Sequence, residues 1–260
     1  MHTSVTPVVP WLAGLVLAGT ALTGCGSSST PAATAPTAAS PSAAAPAAPA
    51  ASAAPSPVAP LAPTLAEAKA AALAINLVPG DMKDYSMQGE AGAAPENPAG
   101  KAAAACYGGV DPSHALADIA SPDFGRSEKM PAPPTIASEV QVLPTADLVR
   151  QDLAGVTSSK APGCLAVLFR QSFEGADVAN IKVIRVSSPA AGANSFGYRI
   201  TGDLKQAGAA DSPLYLEVYG IAKGRTELTI SVQGSQIPLA TAERERIVAL
   251  LKTRLDQHAL

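Results

Sequence analysis

Apolar and polar residues alternate with a period of two in several segments of the chain. Between Ser138 and Leu143, Val140 and Val142 alternate with Glu139 and Gln141. This pattern is typical of a half-buried β-strand. It recurs in the last third of the chain, at Ile181 and Val183, at Phe196, Tyr198 and Ile200, over Leu214–Ile221, and over Leu228–Val232. Gly224 lies between the last two segments and favours a tight hairpin, so the pattern predicts an antiparallel meander.

Helical patterns occupy the segments between and after these strands. Thr64-Leu65-Ala66-Glu67 is a capping box that predicts a helix start, and Pro79-Gly80 stops that helix. Further helices are predicted over Lys101–Cys106, after Thr145, after Pro162, and after Pro238. Together the two periodicities predict an α+β domain in which helices pack on one face of an antiparallel sheet.

The helix after Pro238 is amphipathic. Its apolar side contains Ile247, Leu250, Leu251 and Leu255, and its charged side contains Arg244, Glu245, Lys252 and Arg254. We expect the charged side, including Glu243, to be a solvated surface. Tyr215 and Tyr219 alternate with aliphatic residues, so we expect core packing or cross-strand pairing for them.

Charge divides the chain of 260 residues into two parts. Residues 1–63 contain no Asp, Glu, Lys or Arg, and 26–63 consist almost entirely of Ala, Pro, Ser and Thr. Such a composition predicts a disordered tether over 25–63 and one globular domain over 64–260. The domain carries both signs of charge, and the chain has a net charge of −3. Without a basic face, nucleic acid is not an expected partner.

The amino-terminal segment resembles the export signal of bacterial lipoproteins. The apolar run 11–21 is too short to span the roughly 30 Å hydrocarbon core of a membrane, and Leu22-Thr23-Gly24-Cys25 is similar to a lipobox. The resemblance implies a signal peptide over 1–24 and a lipid such as palmitate on Cys25. It implies a location on the extracytoplasmic face of the cell membrane. One departure is that no Lys or Arg precedes Trp11.

Only two cysteines remain after Cys25, namely Cys106 and Cys164. An even pair in an exported segment predicts a disulfide, here closing a loop of 58 residues. The alternatives are a redox-active pair or half of a metal site. Redox pairs usually occur as Cys-x-x-Cys, and a structural zinc site needs four ligands.

Residues suited to catalysis are few. Of the three histidines, His114 alone lies within the predicted domain and away from its end, and no Gly-x-Ser-x-Gly segment presents a nucleophile. Asp111, His114 and Asp118 could converge on a metal, but Asp111-Pro112-Ser113 equally predicts a turn with an N-cap. No glycine-rich phosphate loop is present. We therefore assign no catalytic residue, metal or cofactor, and we expect no enzyme activity.

The order of these features resembles actinobacterial secreted lipoproteins. A lipobox, an Ala/Pro tether, a capped helix, Cys106, the turn at Ser121-Pro122-Asp123-Phe124, the Ser138–Leu143 strand, Cys164 and the Gly224 hairpin follow one another. This order is similar to that of the extracellular sensor domains of mycobacterial receptor kinases and of envelope lipoproteins with a PsbP/Mog1-like fold. Those sensor domains tend to have two disulfides, whereas this chain can form one.

The resemblance implies a lipid-anchored domain that binds or senses an envelope protein or cell-wall ligand without catalysis. One alternative is a carrier or chaperone for an envelope lipid or glycolipid, which needs a cavity of several hundred Å³ between sheet and helices. A second alternative is a hydrolase that uses His114, which needs a nucleophile within hydrogen-bonding distance of the imidazole.

Overall fold

A computed structural model describes residues 61–125, 134–173, 177–205, 210–234 and 238–260. The predicted signal peptide, Cys25 and nearly all of the predicted tether lie outside the described residues. Those parts of the sequence-based interpretation therefore stay predictions, as do the domain boundaries.

The described residues form five helices and nine strands; the sequence patterns indicated the helices, β5 and the strands β6 to β9, but not the short strands β1 to β4. The helices are α1 (Leu65–Ile75), α2 (Pro98–Tyr107), α3 (Ala146–Val156), α4 (Ala161–Gln171) and α5 (Thr241–His258). The strands are β1 (Ser86–Gln88), β2 (Gly92–Ala93), β3 (Ala117–Ala120), β4 (Asp123–Gly125), β5 (Thr135–Val142), β6 (Val178–Arg185), β7 (Ser195–Leu204), β8 (Ser212–Lys223) and β9 (Thr226–Gly234). Short 3₁₀ turns lie at Pro79–Asp81 and Pro112–His114.

All strands join one antiparallel sheet. Its order is β1-β4-β5-β9-β8-β7-β6, and β3 pairs with both β2 and β5. Strands β6 to β9 form the predicted meander, and β8 and β9 meet in a hairpin where Gly224 has a φ of 59°. Glycine adopts that conformation readily because it has no Cβ. The pairing of β5 with β9 joins the two halves of the sheet and places both strands at its centre.

Helices α1 and α5 cover one face of the sheet. The capping box of α1 is formed as predicted, with the Thr64 amide donating to Glu67 and the Glu67 amide donating to Thr64 Oγ1. Alternate residues of β5 and β9 point toward these helices and are buried, namely Val140, Val142, Leu228, Ile230 and Val232. From the helices they meet Ile75, Ile247, Leu251 and Leu255. The α+β prediction is confirmed.

A second helical layer lies on the opposite face. There Phe169 of α4 packs against Ile200 and Val178, and Val156 of α3 packs with Tyr198. The sequence pattern indicated helices on one face, and the second layer has a simple cause. Strands β7 and β8 carry Tyr198, Ile200, Leu216 and Val218 on this opposite face, so it needs cover as well. The disulfide between Cys106 and Cys164 joins α2 to α4 within this layer.

The charged side of α5 is partly buried, which corrects the prediction that Arg244 and Glu245 form a solvated surface. The Arg244 side chain is 12% exposed and reaches toward Glu217, a residue of β8 whose side chain is fully buried. Arg199 of β7 donates from Nε to Glu217 Oε1 at 2.8 Å. Glu245 accepts a hydrogen bond from Ser188 Oγ. The contacts of Arg244 with Glu217 and of Glu245 with Ser188 hold α5 on the sheet, so this part of its charged side is not solvated.

Candidate ligand-binding groove

The second helical layer leaves part of the sheet uncovered, and this part is the floor of a groove of about 870 Å³. On one side α4 forms the wall. On the other side the segment from β1 to the start of α2 forms a wall with the 3₁₀ turn at Pro112–His114. We call this space the groove. Its volume lies within the range of roughly 300–1,000 Å³ that is usual for small-molecule sites.

The strand register divides the floor into a polar half and an apolar half. Because Val140, Val142 and Leu228 face the core, the intervening residues of β5 and β9 face the groove. These are Ala137, Glu139, Gln141, Thr229, Ser231 and Gln233. In the next two strands, Val218 lies beside Ser231, Leu216 lies beside Gln233, and Ile200 lies beside Leu216. One side of the floor therefore offers hydrogen-bonding groups and the other offers aliphatic surface.

Helix α4 continues the apolar half upward. Leu165, Leu168 and Phe169 line the wall, and Phe169 is 3% exposed because it also packs on Phe173 in an edge-to-face arrangement. Pro162 is in the first turn of this helix, where it costs no hydrogen bond. Cys164 in the same turn is tied to α2 by the disulfide. The wall is therefore fixed both by packing and by a covalent link.

Two carboxyl groups, Asp118 and Glu139, lie together in the polar half. The side-chain amide of Gln141 donates to Asp118 Oδ2 at 2.9 Å and to Glu139 Oε1 at 3.0 Å. The other Asp118 oxygen, Oδ1, is buried and receives no hydrogen bond from the described residues. Burial and then the nearby Glu139 charge raise the pKa of Asp118 to about 7, and burial also raises the pKa of Glu139. A proton shared by the two carboxyls is the expected state at neutral pH.

Acidic groups predominate around the groove as a whole. Among the described residues, six carboxylates and one ammonium group line it: Glu90, Glu96, Asp111, Asp118, Asp123, Glu139 and Lys101. Lys101 is already paired with Asp111, with 2.7 Å between its Nζ and Oδ2. The groove is therefore acidic although its far wall is apolar.

A further buried acid lies beside the groove, next to Gln141 in the sheet. This acid is Glu227 of β9, which pairs with Gln141 of β5 and faces α3. Burial and then the Asp152 charge raise the pKa of Glu227 to about 9. Burial likewise raises the pKa of Asp152, even though its Oδ1 accepts a hydrogen bond from the Val110 amide at 2.8 Å. Both carboxyls thus favour the neutral form more than a free carboxyl does.

The three residues considered for a metal occupy different positions. Asp111 caps the 3₁₀ turn by accepting from the Ser113 amide at 3.0 Å, while Asp118 faces Gln141 from β3. His114 is exposed at the end of the turn, and its imidazole has no hydrogen-bond partner among the described residues. In the described ranges, no group of three His, Cys, Asp or Glu side chains is arranged to hold a metal. The nucleophile required by the hydrolase alternative does not accompany His114 there.

Sequence reasoning missed the pair of Asp118 and Glu139. The alternation in β5 does indicate that Glu139 points away from the core. However, β3 has only four residues, Ala117–Ala120, which is too short for a recognisable period. Its pairing with β5, which brings Asp118 beside Gln141 and Ala120 beside Glu139, could not be inferred.

No helix in the described part of the chain is long and apolar enough to cross a membrane.

No family model and no curated protein matches the sequence. Among solved structures, the fold is similar to that of the extracellular domain of PknH from Mycobacterium tuberculosis, with 13% identity and a TM-score of 0.41. The match covers 73% of this chain and 97% of that chain. A likeness of this size establishes neither a shared family nor a shared function.

Proposed function

We propose that this protein is a binding domain of the cell envelope and that its ligand occupies the groove without being chemically changed. The observation that carries the proposal is the groove itself, a space of about 870 Å³ with one hydrogen-bonding half and one aliphatic half. A ligand can meet both kinds of surface there at once, which is the usual construction of a small-molecule site.

The groove is built on a rigid scaffold. Its floor lies on the paired strands β5, β9, β8 and β7, and these strands are fixed from behind by the core under α1 and α5. One wall is held by the disulfide between α2 and α4. Sites preorganised in this way lose little free energy in ordering themselves around a ligand.

Binding in the groove is tested by filling it. Ser231 lies at the centre of the floor, so Ser231→Phe should place an aromatic ring in the groove. We expect wild-type protein to bind the neutral fluorophore N-phenylnaphthylamine saturably, because its rings fit the aliphatic half. Ser231→Phe should weaken that binding by about tenfold or more, because the new ring occupies the space over the floor and the fluorophore loses apolar contact area there. The measurement is a fluorescence titration.

The matched control is Ala249→Phe, which adds the same ring at an exposed position of α5 outside the groove. It should bind the fluorophore as the wild type does. If Ser231→Phe has a wild-type melting temperature and still binds the fluorophore with wild-type affinity, the groove is not the binding site.

A tether and a lipid on Cys25 would hold this domain at the extracytoplasmic face of the membrane. This part of the proposal rests on the lipobox-like segment Leu22-Thr23-Gly24-Cys25. Mass spectrometry of protein extracted from its own envelope should show a diacylglyceryl increment on the Cys25 peptide, in native and in denatured samples. An unmodified Cys25 peptide would contradict the anchor.

The second candidate is a carrier of an envelope lipid, which the aliphatic wall of Leu165, Leu168 and Phe169 favours. The same mass measurement separates the two candidates. A carrier should show a further lipid-sized mass in the native spectrum that disappears on denaturation. A sensing domain with a transient ligand should show the anchored chain alone.

A further inference from the structure

We propose that the groove selects a cationic amphiphile, a molecule whose ammonium group binds between Asp118 and Glu139 while its apolar part lies on Leu216, Val218 and Phe169. This inference rests on the proposed binding function and specifies the chemical class of the ligand. It follows from charge, burial and register in the described residues.

Asp118 and Glu139 lack a counter-ion among the described residues, whereas the buried carboxylates Glu217 and Asp81 have one. Glu217 is paired with Arg199 and Arg244, and Asp81, with a side chain 10% exposed, is paired with Arg254 at 2.6 Å. No Lys, Arg or His of the described residues forms an ion pair with Asp118 or Glu139. Since burying a carboxylate without a cation is costly, a ligand that supplies the cation gains the stabilisation that arginine supplies elsewhere.

The hydrogen-bonding pattern also favours a donor. The Gln141 amide donates one bond to each carboxyl, and Asp118 Oδ1 receives none from the described residues. An ammonium group has three N–H donors and no acceptor, so it fits a site made of carboxylate oxygens. An anionic ligand would meet six acidic side chains lining the groove and a single ammonium group already paired with Asp111.

The register sets the distance between the charged and apolar parts of the ligand. Glu139 lies beside Thr229, and Thr229 lies in the strand next to Val218 and Leu216. Two strand spacings of roughly 4.8 Å separate Glu139 from β8, and Val218 is offset by two residues, or roughly 7 Å along the strands, because it pairs with Ser231. The backbone positions of Glu139 and Val218 are therefore about 12 Å apart, and Asp118 lies one strand farther away on β3. A short alkyl chain carrying an aromatic ring covers that distance.

Binding of an ammonium group should become tighter as the pH rises. Because the two carboxyls share a proton near neutral pH, a bound cation displaces that proton, and its release is easier at higher pH. The neighbouring charged groups are Glu227 on β9, Asp152 on α3, and Lys101 on α2 paired with Asp111. The groove is also lined by the carboxyls Glu90, Glu96 and Asp123. Burial and then the Asp152 charge raise the pKa of Glu227 to about 9, and its ionisation at still higher pH would add negative charge and act in the same direction.

The test compares three ligands with one apolar part, namely phenylbutylamine, phenylbutanol and phenylbutyrate, by calorimetry on the full-length chain. We expect the amine to bind at least about tenfold more tightly than the alcohol, which is the contribution of one charge-assisted hydrogen bond. The acid should bind most weakly. The amine affinity should rise between about pH 6 and about pH 8, on either side of the Asp118 pKa of about 7.

Glu139→Gln and Asp118→Asn keep the side-chain shapes and remove one carboxyl each, and the double variant removes both. Each single variant leaves one carboxyl in the site and should therefore reduce the amine preference without removing it. In the double variant the amine should bind no more tightly than the alcohol, while the affinity for the alcohol stays at its wild-type value and shows that the groove is intact. Asp84→Asn removes the same charge at an exposed position on the side of α5 and should change nothing.

The inference is overturned if the alcohol or the acid matches the amine in the wild type, or if the double variant of Asp118→Asn and Glu139→Gln retains the amine preference. In either case, saturable binding of N-phenylnaphthylamine that Ser231→Phe weakens would still support the proposed binding function. Failure of the three ligands and of the fluorophore together would overturn both proposals.

Discussion

Replacing Cys106 and Cys164 together by alanine is expected to lower the free energy of unfolding by about 4 kcal/mol. The reason is the length of the loop, because a disulfide across 58 residues removes much of the conformational entropy of the unfolded chain. The cost of lost packing is smaller, since Cys106 is exposed and Cys164 is only one small residue of the helical layer. Urea denaturation of both proteins measures the difference.

Reduction provides the matched control for this variant. A reducing agent should bring the wild type to the stability of the double variant and should leave the double variant unchanged. Because the disulfide joins α4 to α2, its removal should also weaken binding of N-phenylnaphthylamine in the groove. A loss of stability below about 1 kcal/mol would show that packing already restricts this loop in the unfolded ensemble.

Replacing Arg199 by methionine is expected to cost about 3 kcal/mol of unfolding free energy. Glu217 is fully buried, and without Arg199 its remaining cation is Arg244, whose Nη1 lies 3.4 Å from Glu217 Oε2. A buried carboxylate that loses its main partner carries its desolvation cost uncompensated. Adding Glu217→Gln to Arg199→Met should recover part of the loss, because the uncompensated charge is then removed.

The effect of Arg199→Met should depend on pH. Burial raises the pKa of Glu217, but the Tyr215 hydroxyl and the guanidinium groups of Arg199 and Arg244 outweigh burial and hold that pKa below its usual value. The stabilisation is therefore fully present above the unfolded pKa of about 4.3, and it is lost as the pH falls through the folded value. The difference between wild type and Arg199→Met should be largest at neutral pH and decrease in acid.

Arg150→Met is the control for removing an arginine. Arg150 pairs with Asp147 on the surface of α3, where both side chains are more than two-thirds exposed. Exposed ion pairs of this kind contribute little to stability, so the melting temperature should scarcely change. Equal destabilisation by Arg199→Met and Arg150→Met would contradict the importance of burial at Glu217.

The sequence by itself determined the local elements and their chemical character. The capping box at Thr64, the alternation in β5 and β9, and the glycine hairpin at Gly224 act within a few residues, so their physical basis is complete in the sequence. The pairing of Cys106 with Cys164 was also accessible, because the domain contains only those two cysteines. These features sufficed for the α+β class.

Tertiary structure alone decided which residues form the groove and which charges are buried. Asp118 meets Glu139 because the four-residue strand β3 pairs with β5, and Arg244 approaches Glu217 because α5 lies across β8. Periodicity along one segment shows which side chains share a face, but it does not show which strand lies next to it. The order of strands, and therefore the acidic and apolar halves of the groove, depends on contacts between residues distant in the chain.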